Sequence, residues 1–315
     1  MSSIKPQIKK YFQSGMLFAC ILVLLAACGS TSASSNTAAA TQAPNCPHPI
    51  SLSKLIIGVI PAESQTSVVG VTQPFADALS KQICKPVSIF VGTNYTAIIT
   101  AMTNGKADLA DFGPLSYVLA SQNGDAQAIS VALAEGTKEA TYQSYIVTTP
   151  KTGLKSIADL KGKTFSFVDP ASTSGNLEPR YMMTQAHLNP DTDVKGSYLG
   201  SHDASLLAVL SGKVDAGAVA SDTYNQLLQE GKFKADQLQV IAKSDAIPED
   251  PMAVRKGLSL SDTASLQQAL VALNNDPTAL KALALGGFRN TTDSTYAGIR
   301  QLAKSLNLDL AKVAG

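Results

Sequence analysis

This chain has no tryptophan, three histidines and four cysteines in 315 residues, and charged residues make up only 16% of it. Each shortage removes a class of function. His48, His187 and His202 stand far apart, and Cys46 with His48 is too small a set for zinc, so neither a metal finger nor a metal-dependent hydrolase has its ligands. Basic and acidic residues nearly balance, 25 against 24, with no basic run and no aromatic ladder, which argues against nucleic acid as a partner. Gly162-Lys163-Thr164 has Ile157 where a phosphate loop needs its first glycine, so nucleotide triphosphatase chemistry is not indicated. Ser51-Leu52-Ser53-Lys54 and Lys151-Thr152-Gly153 echo two boxes of penicillin-binding enzymes. The third, Ser-Asp-Asn, is missing, and Ser221-Asp222-Thr223 follows the Lys-Thr-Gly instead of preceding it.

What is present begins at the N-terminus. Lys5, Lys9 and Lys10 precede an apolar stretch over 16–26, and Leu25-Ala26-Ala27-Cys28 closes it with small residues before a cysteine. About eleven apolar residues are too few to cross a bilayer, and the tetrapeptide resembles the lipobox of bacterial lipoproteins, in which the cysteine carries the lipid. Residues 1–27 therefore read as a signal peptide, Cys28 as the lipidated residue and 28–48 as a tether rich in Ser, Thr and Ala, with little to bury. Without the leader, 22 basic residues face 24 acidic ones, a net charge of −2. Cys46 and Cys84 then lie outside the cytoplasm, where a disulfide is permitted, although their spacing is equally compatible with two free thiols.

The folded part alternates strand and helix. Strands are predicted over 55–60, 87–91 and 107–112 and helices over 69–83 and 96–103; beyond a turn-rich joint, Thr149-Pro150-Lys151-Thr152-Gly153, strands follow over 164–168, 194–199, 214–219 and 238–241. A second joint, Ile247-Pro248-Glu249-Asp250-Pro251, leads into a stretch from 261 that reads as helical to the end, broken at Asp276-Pro277 and Gly286-Gly287. The rhythm predicts an α/β protein of two lobes, 49–149 with 251–315 and 150–250, each a mostly parallel sheet flanked by helices, joined by two crossings.

Within this frame the most informative segment is Asp169-Pro170-Ala171-Ser172-Thr173-Ser174-Gly175. It places three hydroxyls at a strand-to-helix turn, where free amides and the positive helix end favour an anion. A helix needs only one such residue as its N-cap. A weak internal repeat adds two rings: Tyr95 lies ten positions before Gly105-Lys106-Ala107-Asp108, and His202 ten before Gly212-Lys213-Val214-Asp215. Each opens a predicted helix that ends at the glycine, so the rings take equivalent places in the two lobes, facing a cleft.

These segments, together with Ile60-Pro61-Ala62-Glu63-Ser64, Phe90-Val91-Gly92-Thr93-Asn94-Tyr95, Asp111-Phe112-Gly113-Pro114-Leu115-Ser116-Tyr117, Gly200-Ser201-His202-Asp203-Ala204-Ser205 and the 247–251 joint, resemble the solute-binding proteins of phosphate, phosphite and phosphonate ABC importers. The resemblance implies a type II periplasmic-binding fold with the ligand at the hinge, the phosphorus oxyanion being gripped by Ser172, Thr173, Ser174, Tyr95, Tyr142 and His202, with Ser116 as a further contact. Asp222 and Asp250 match positions where the family's phosphonate binders hold a ligand amine, although Asp222 stands where a glutamate is expected and also suits the N-cap of a helix through 228. The resemblance further implies a lipid-anchored, extracytoplasmic monomer without cofactor that serves an ABC permease and its ATPase subunits. The residues by themselves also allow a secreted phosphoester hydrolase, with Ser172 or Ser174 as nucleophile and His202 as base. A Ser172–His202–Asp222 triad can be drawn, but no Gly-x-Ser-x-Gly elbow supports it. A sensory module docking to a signalling partner is a third reading.

Overall fold

A computed structural model describes residues 46–308, apart from 123 and 137. The leader, Cys28 and the tether up to residue 45 lie outside the described residues. The chain runs β1 (Leu55–Val59), α1 (Gln65–Ile83), β2 (Val87–Val91), α2 (Tyr95–Thr103), β3 (Leu109–Asp111), α3 (Pro114–Ser121) and β4 (Ala126–Ala134). It crosses through β5 (Thr141–Tyr142) into β6 (Ser144–Thr148), β7 (Thr164–Phe167), α4 (Glu178–Gln185), β8 (Lys195–Tyr198), α5 (His202–Leu210), β9 (Ala216–Ala220), α6 (Ser221–Gln229) and β10 (Gln239–Lys243). It returns through β11 (Ile247–Pro248) to β12 (Pro251–Arg255), α7 (Leu260–Ala272), α8 (Pro277–Ala282), β13 (Leu285–Asn290) and α9 (Ala297–Ser305).

Two sheets result, ordered β13-β4-β12-β3-β1-β2 and β10-β6-β9-β7-β8, with β11 and β5 paired as a short ribbon between them. Both sheets are mixed, where the sequence suggested mostly parallel ones. Only β1–β2, β1–β3, β7–β8 and β7–β9 are parallel, and every other pair in the two sheets contains β6, β12 or β13. Strands reached by a change of lobe, β6 and β12, enter their sheets from the other end and run antiparallel to their neighbours. The first crossing is the β5 ribbon, so β6 belongs to the second sheet; the turn at Thr149–Gly153 lies inside that lobe and is not the boundary near residue 150 that its composition suggested.

The C-terminal stretch is not helical throughout. Gly286 and Gly287 do not break a helix but form a bulge in β13 against β4. A Cβ at Gly286 would stand 2.5 Å from the Ala134 carbonyl oxygen, and Gly287 has φ +145°, so close approach and backbone angle both demand glycine.

Each sheet is covered on both faces. In the first lobe Leu55, Ile57, Leu79, Leu266 and Leu270 form one core, and Ile98, Met102, Phe112, Tyr117 and Tyr296 the other. The second core continues across the hinge to Val168, Ala171, Leu177 and Ala220, so the lobes share apolar packing beneath the cleft. The repeat has a structural counterpart. Asp108 accepts from the Ile56 amide at 3.0 Å and Asp215 from the Thr164 amide at 2.8 Å, each tying its Gly-Lys turn to the first strand of a βαβαβ run, β1 and β7. Cys46 and Cys84 form a disulfide with Cα atoms 5.9 Å apart, fastening the start of the described chain to the end of α1.

Candidate functional site

The hydroxyl turn leaves β7 and becomes a single π-helical turn, Thr173–Leu177, before α4. Ser172 is its N-cap, accepting from the Gly175 amide at 3.0 Å. Gly175 packs so tightly that a Cβ there would lie 2.3 Å from Val168 Cβ. Asp169 braces the turn by accepting from the Ala171 amide at 2.8 Å, and Ser144 Oγ donates to the Ser174 carbonyl at 2.6 Å. With the backbone held this way, the hydroxyls have fixed positions at the cleft.

A cavity of about 520 Å³ lies between the lobes and is lined by Tyr95, Tyr142, Ser172, Thr173, Ser174, His202, Asp222 and Asp250. Ser116 is the exception: its hydroxyl donates to the Gly113 carbonyl at 2.9 Å, and the residue does not line the cavity. Tyr95 is the first residue of α2 and His202 the first of α5, with Asn94 and Ser201 as their N-caps. Positive helix ends from both lobes therefore meet at the cavity.

The protonation states follow from burial and partners. His202 Nδ1 accepts from the Ala220 amide at 3.0 Å, and burial pushes the imidazole down to about 4. The ring is neutral, with its proton on Nε2, so it donates and has no lone pair left to act as a base. Burial raises Tyr95 and Tyr142 well above the usual phenol range; they bond with Ser172 and Ser174 respectively and remain donors. The cradle is thus built of neutral donors, and among the described residues no lysine or arginine lines the cavity. Such donors hold an oxyanion without desolvating a protein cation. The same tautomer removes the general base that the hydrolase reading assigned to His202.

The cavity also holds acids that motif reading did not single out. Glu63, Asp111 and Glu249 line the cavity with Asp222 and Asp250. Burial first, then neighbouring carboxylates, push Glu63 and Asp111 up to about 7 and Glu249 up to about 8. Asp250 is raised well above the carboxylate range by burial and by Asp111. Asp222 lies in the first turn of α6, whose N-cap is Ala220, so its side chain is not spent on capping. Glu63, Asp111 and Glu249 all occur within quoted segments, yet they come from different segments and only the fold brings them together.

The lobes also touch directly. The Leu115 amide donates to Thr173 Oγ1 at 2.8 Å, the His202 amide to the Ala62 carbonyl at 2.8 Å, and Thr223 Oγ1 to Glu63 Oε1 at 3.0 Å. Thr173 and His202 therefore contribute both to the cavity wall and to the closed arrangement.

Known proteins share this architecture. The chain is 29% identical over 263 residues to the Phosphate-import protein PhnD of Mycolicibacterium smegmatis, covering 80% of this chain and 79% of that one. It is 29% identical over 256 residues to the Phosphonates-binding periplasmic protein of Escherichia coli K12, covering 79% and 75%. In structure it is similar to a binding protein component of an ABC phosphonate transporter from Pseudomonas aeruginosa, with TM-score 0.74, 26% identity and coverage of 82% and 96%. PhnD1 of Prochlorococcus marinus, solved in complex with methylphosphonate, shares the fold with TM-score 0.71 at 24% identity, over 83% and 99%. The family model described as ABC transporter, phosphonate, periplasmic substrate-binding protein matches residues 57–296, and the chain belongs to that family.

Proposed function

We propose that this protein captures a small phosphorus oxyanion, a phosphonate, phosphite or phosphate, between its lobes and delivers it to an ABC permease from a lipid anchor at Cys28, as a monomer. One observation carries the reading: neutral donors from both lobes, Tyr95 from the first, His202 and the Ser172-Thr173-Ser174 turn from the second, and Tyr142 from the hinge ribbon, line one cavity with no lysine or arginine among its described residues. An anion bound to the turn completes its hydrogen bonds only when the lobes meet, which couples binding to closure. Asp222 and Asp250 act as acceptors toward a P–OH proton or a ligand ammonium, since carboxylates beside an oxyanion are otherwise repulsive.

Isothermal titration calorimetry with phosphate, phosphite, hypophosphite, methylphosphonate and 2-aminoethylphosphonate at one pH tests the reading. At least one binds saturably with one ligand per protein and no product forms. Turnover of a phosphate ester that vanishes in His202→Ala would instead establish a hydrolase.

A further inference from the structure

Among the described residues, the one fully buried side-chain polar atom without a hydrogen-bond partner belongs to Glu249. The residue is only 6% exposed, and its Oε1 is buried without a hydrogen-bond partner among the described residues. The carboxyl it pairs with is that of Asp222. Two acceptors facing each other need a proton between them. Asp250, Asp111 and Glu63 line the same cavity and are themselves raised by burial and by neighbouring carboxylates. The phenols nearby, Tyr142 and Tyr296, stay protonated, and Tyr296 already donates its hydroxyl to the Glu249 carbonyl. No described lysine or arginine lines the cavity to take the place of that proton.

We propose that Glu249 is a specificity-determining residue that works by exchange: the ammonium group of a cationic phosphonate enters the acid wall as the proton shared by Glu249 and Asp222 leaves to solvent. This rests on the cavity being the phosphorus-oxyanion site. One positive charge enters and one leaves, so the buried wall keeps its charge, and the Glu249 carboxyl receives N–H donors in place of the shared proton. A phosphonate with an uncharged substituent brings no cation, and with it the shared proton stays. Burial and Asp222 hold Glu249 at about 8, so the proton is present at neutral pH and available for displacement.

Calorimetry of the mature chain in buffers of differing ionisation enthalpy counts protons moved on binding. The probes are 2-aminoethylphosphonate and methylphosphonate, each titrated into wild type, Glu249→Gln and Asp222→Asn. Each ligand's own titration is common to the three proteins and cancels in the difference. For 2-aminoethylphosphonate, wild type releases about one proton more than either variant, and its affinity gains up to about tenfold per pH unit relative to theirs. For methylphosphonate no such excess release occurs. Two variants are used so that a folding failure of one, seen in its melting curve, leaves the other to decide. Equal proton counts in wild type and folded variants for 2-aminoethylphosphonate overturn the exchange. Absence of heat with every phosphorus oxyanion overturns the underlying site assignment instead.

Discussion

Replacing Thr173 with valine separates the grip on the oxyanion from the selection of its substituent. Thr173 Oγ1 accepts from the Leu115 amide at 2.8 Å across the closed cleft, and the residue is 2% exposed. Its hydroxyl proton is therefore left for the ligand. Valine keeps the shape but removes both functions. An amide buried without a partner in the closed form costs about 1–3 kcal/mol, and a lost hydrogen bond to a charged ligand about 1.5–3 kcal/mol. Taking about 3 kcal/mol as the combined effect, since the open state can rehydrate Leu115, the Kd rises roughly a hundredfold. On the proposed site assignment the loss falls on every ligand of the panel alike, because there the hydroxyl meets the shared oxygens and not the varied substituent. Thr173→Ser retains the hydroxyl and binds within about threefold of wild type, as only a methyl is removed. Calorimetry reads the affinities, and small-angle scattering with saturating ligand reads closure. A Thr173→Val protein that binds within about threefold of wild type, or that loses one ligand while keeping another, would refute the reasoning.

Asp250→Asn changes the ranking among ligands, weakening 2-aminoethylphosphonate relative to methylphosphonate; an unchanged order in calorimetry removes Asp250 from substituent selection. Thermal stability of the ligand-free protein peaks at mildly acid pH. Glu63, Asp111 and Glu249 have folded-state values raised to about 7, 7 and 8, so their contribution is full below the unfolded values near 4 and is lost as pH rises through about 8. His202 is depressed to about 4, so its contribution is present above its unfolded value near 6.5 and is lost as pH falls through 4. A melting temperature that climbs from about pH 6 to about pH 8 contradicts these signs. The Cys46–Cys84 bridge spans 38 residues of sequence; in the chain-entropy model its loss in Cys46→Ser with Cys84→Ser costs about 4 kcal/mol, visible as a melting shift on the order of 10 °C. Cys28→Ala leaves the protein in the soluble fraction if that cysteine carries the anchor.

Much of the frame was legible because it is written in local signals. The strands over 55–60, 87–91 and 164–168 are apolar runs bounded by turns, and the helix starts at Tyr95 and His202 follow from the repeat that sets each ring ten residues before a Gly-Lys turn. Of the strands that sequence reading missed, β4 pairs with β12 and β13 across the chain's crossings, and β6 pairs with β9 and β10 far along the second lobe. Their partners lie far away in sequence, so no local pairing signal announces them. Gly286-Gly287 shows the limit: the dipeptide signals an interruption, but only the facing Ala134 carbonyl shows that it is a bulge and not a helix break. Ser116 illustrates the converse, a residue in a family-like segment whose hydroxyl is occupied by the Gly113 carbonyl of its own turn.

The sequence by itself determined that the chain is an α/β protein with a hydroxyl turn and two matched rings, because strand and helix periods and caps are local and the motif carries its chemistry in adjacent residues. Tertiary structure alone decided which groups face that turn. It turned His202 into a fixed donor through the Ala220 amide, engaged Thr173 across the cleft with the Leu115 amide, and assembled Glu63, Asp111, Asp222, Glu249 and Asp250 from separate segments. Charge states depend on burial and on neighbours distant in sequence, and both exist only once the lobes have folded together.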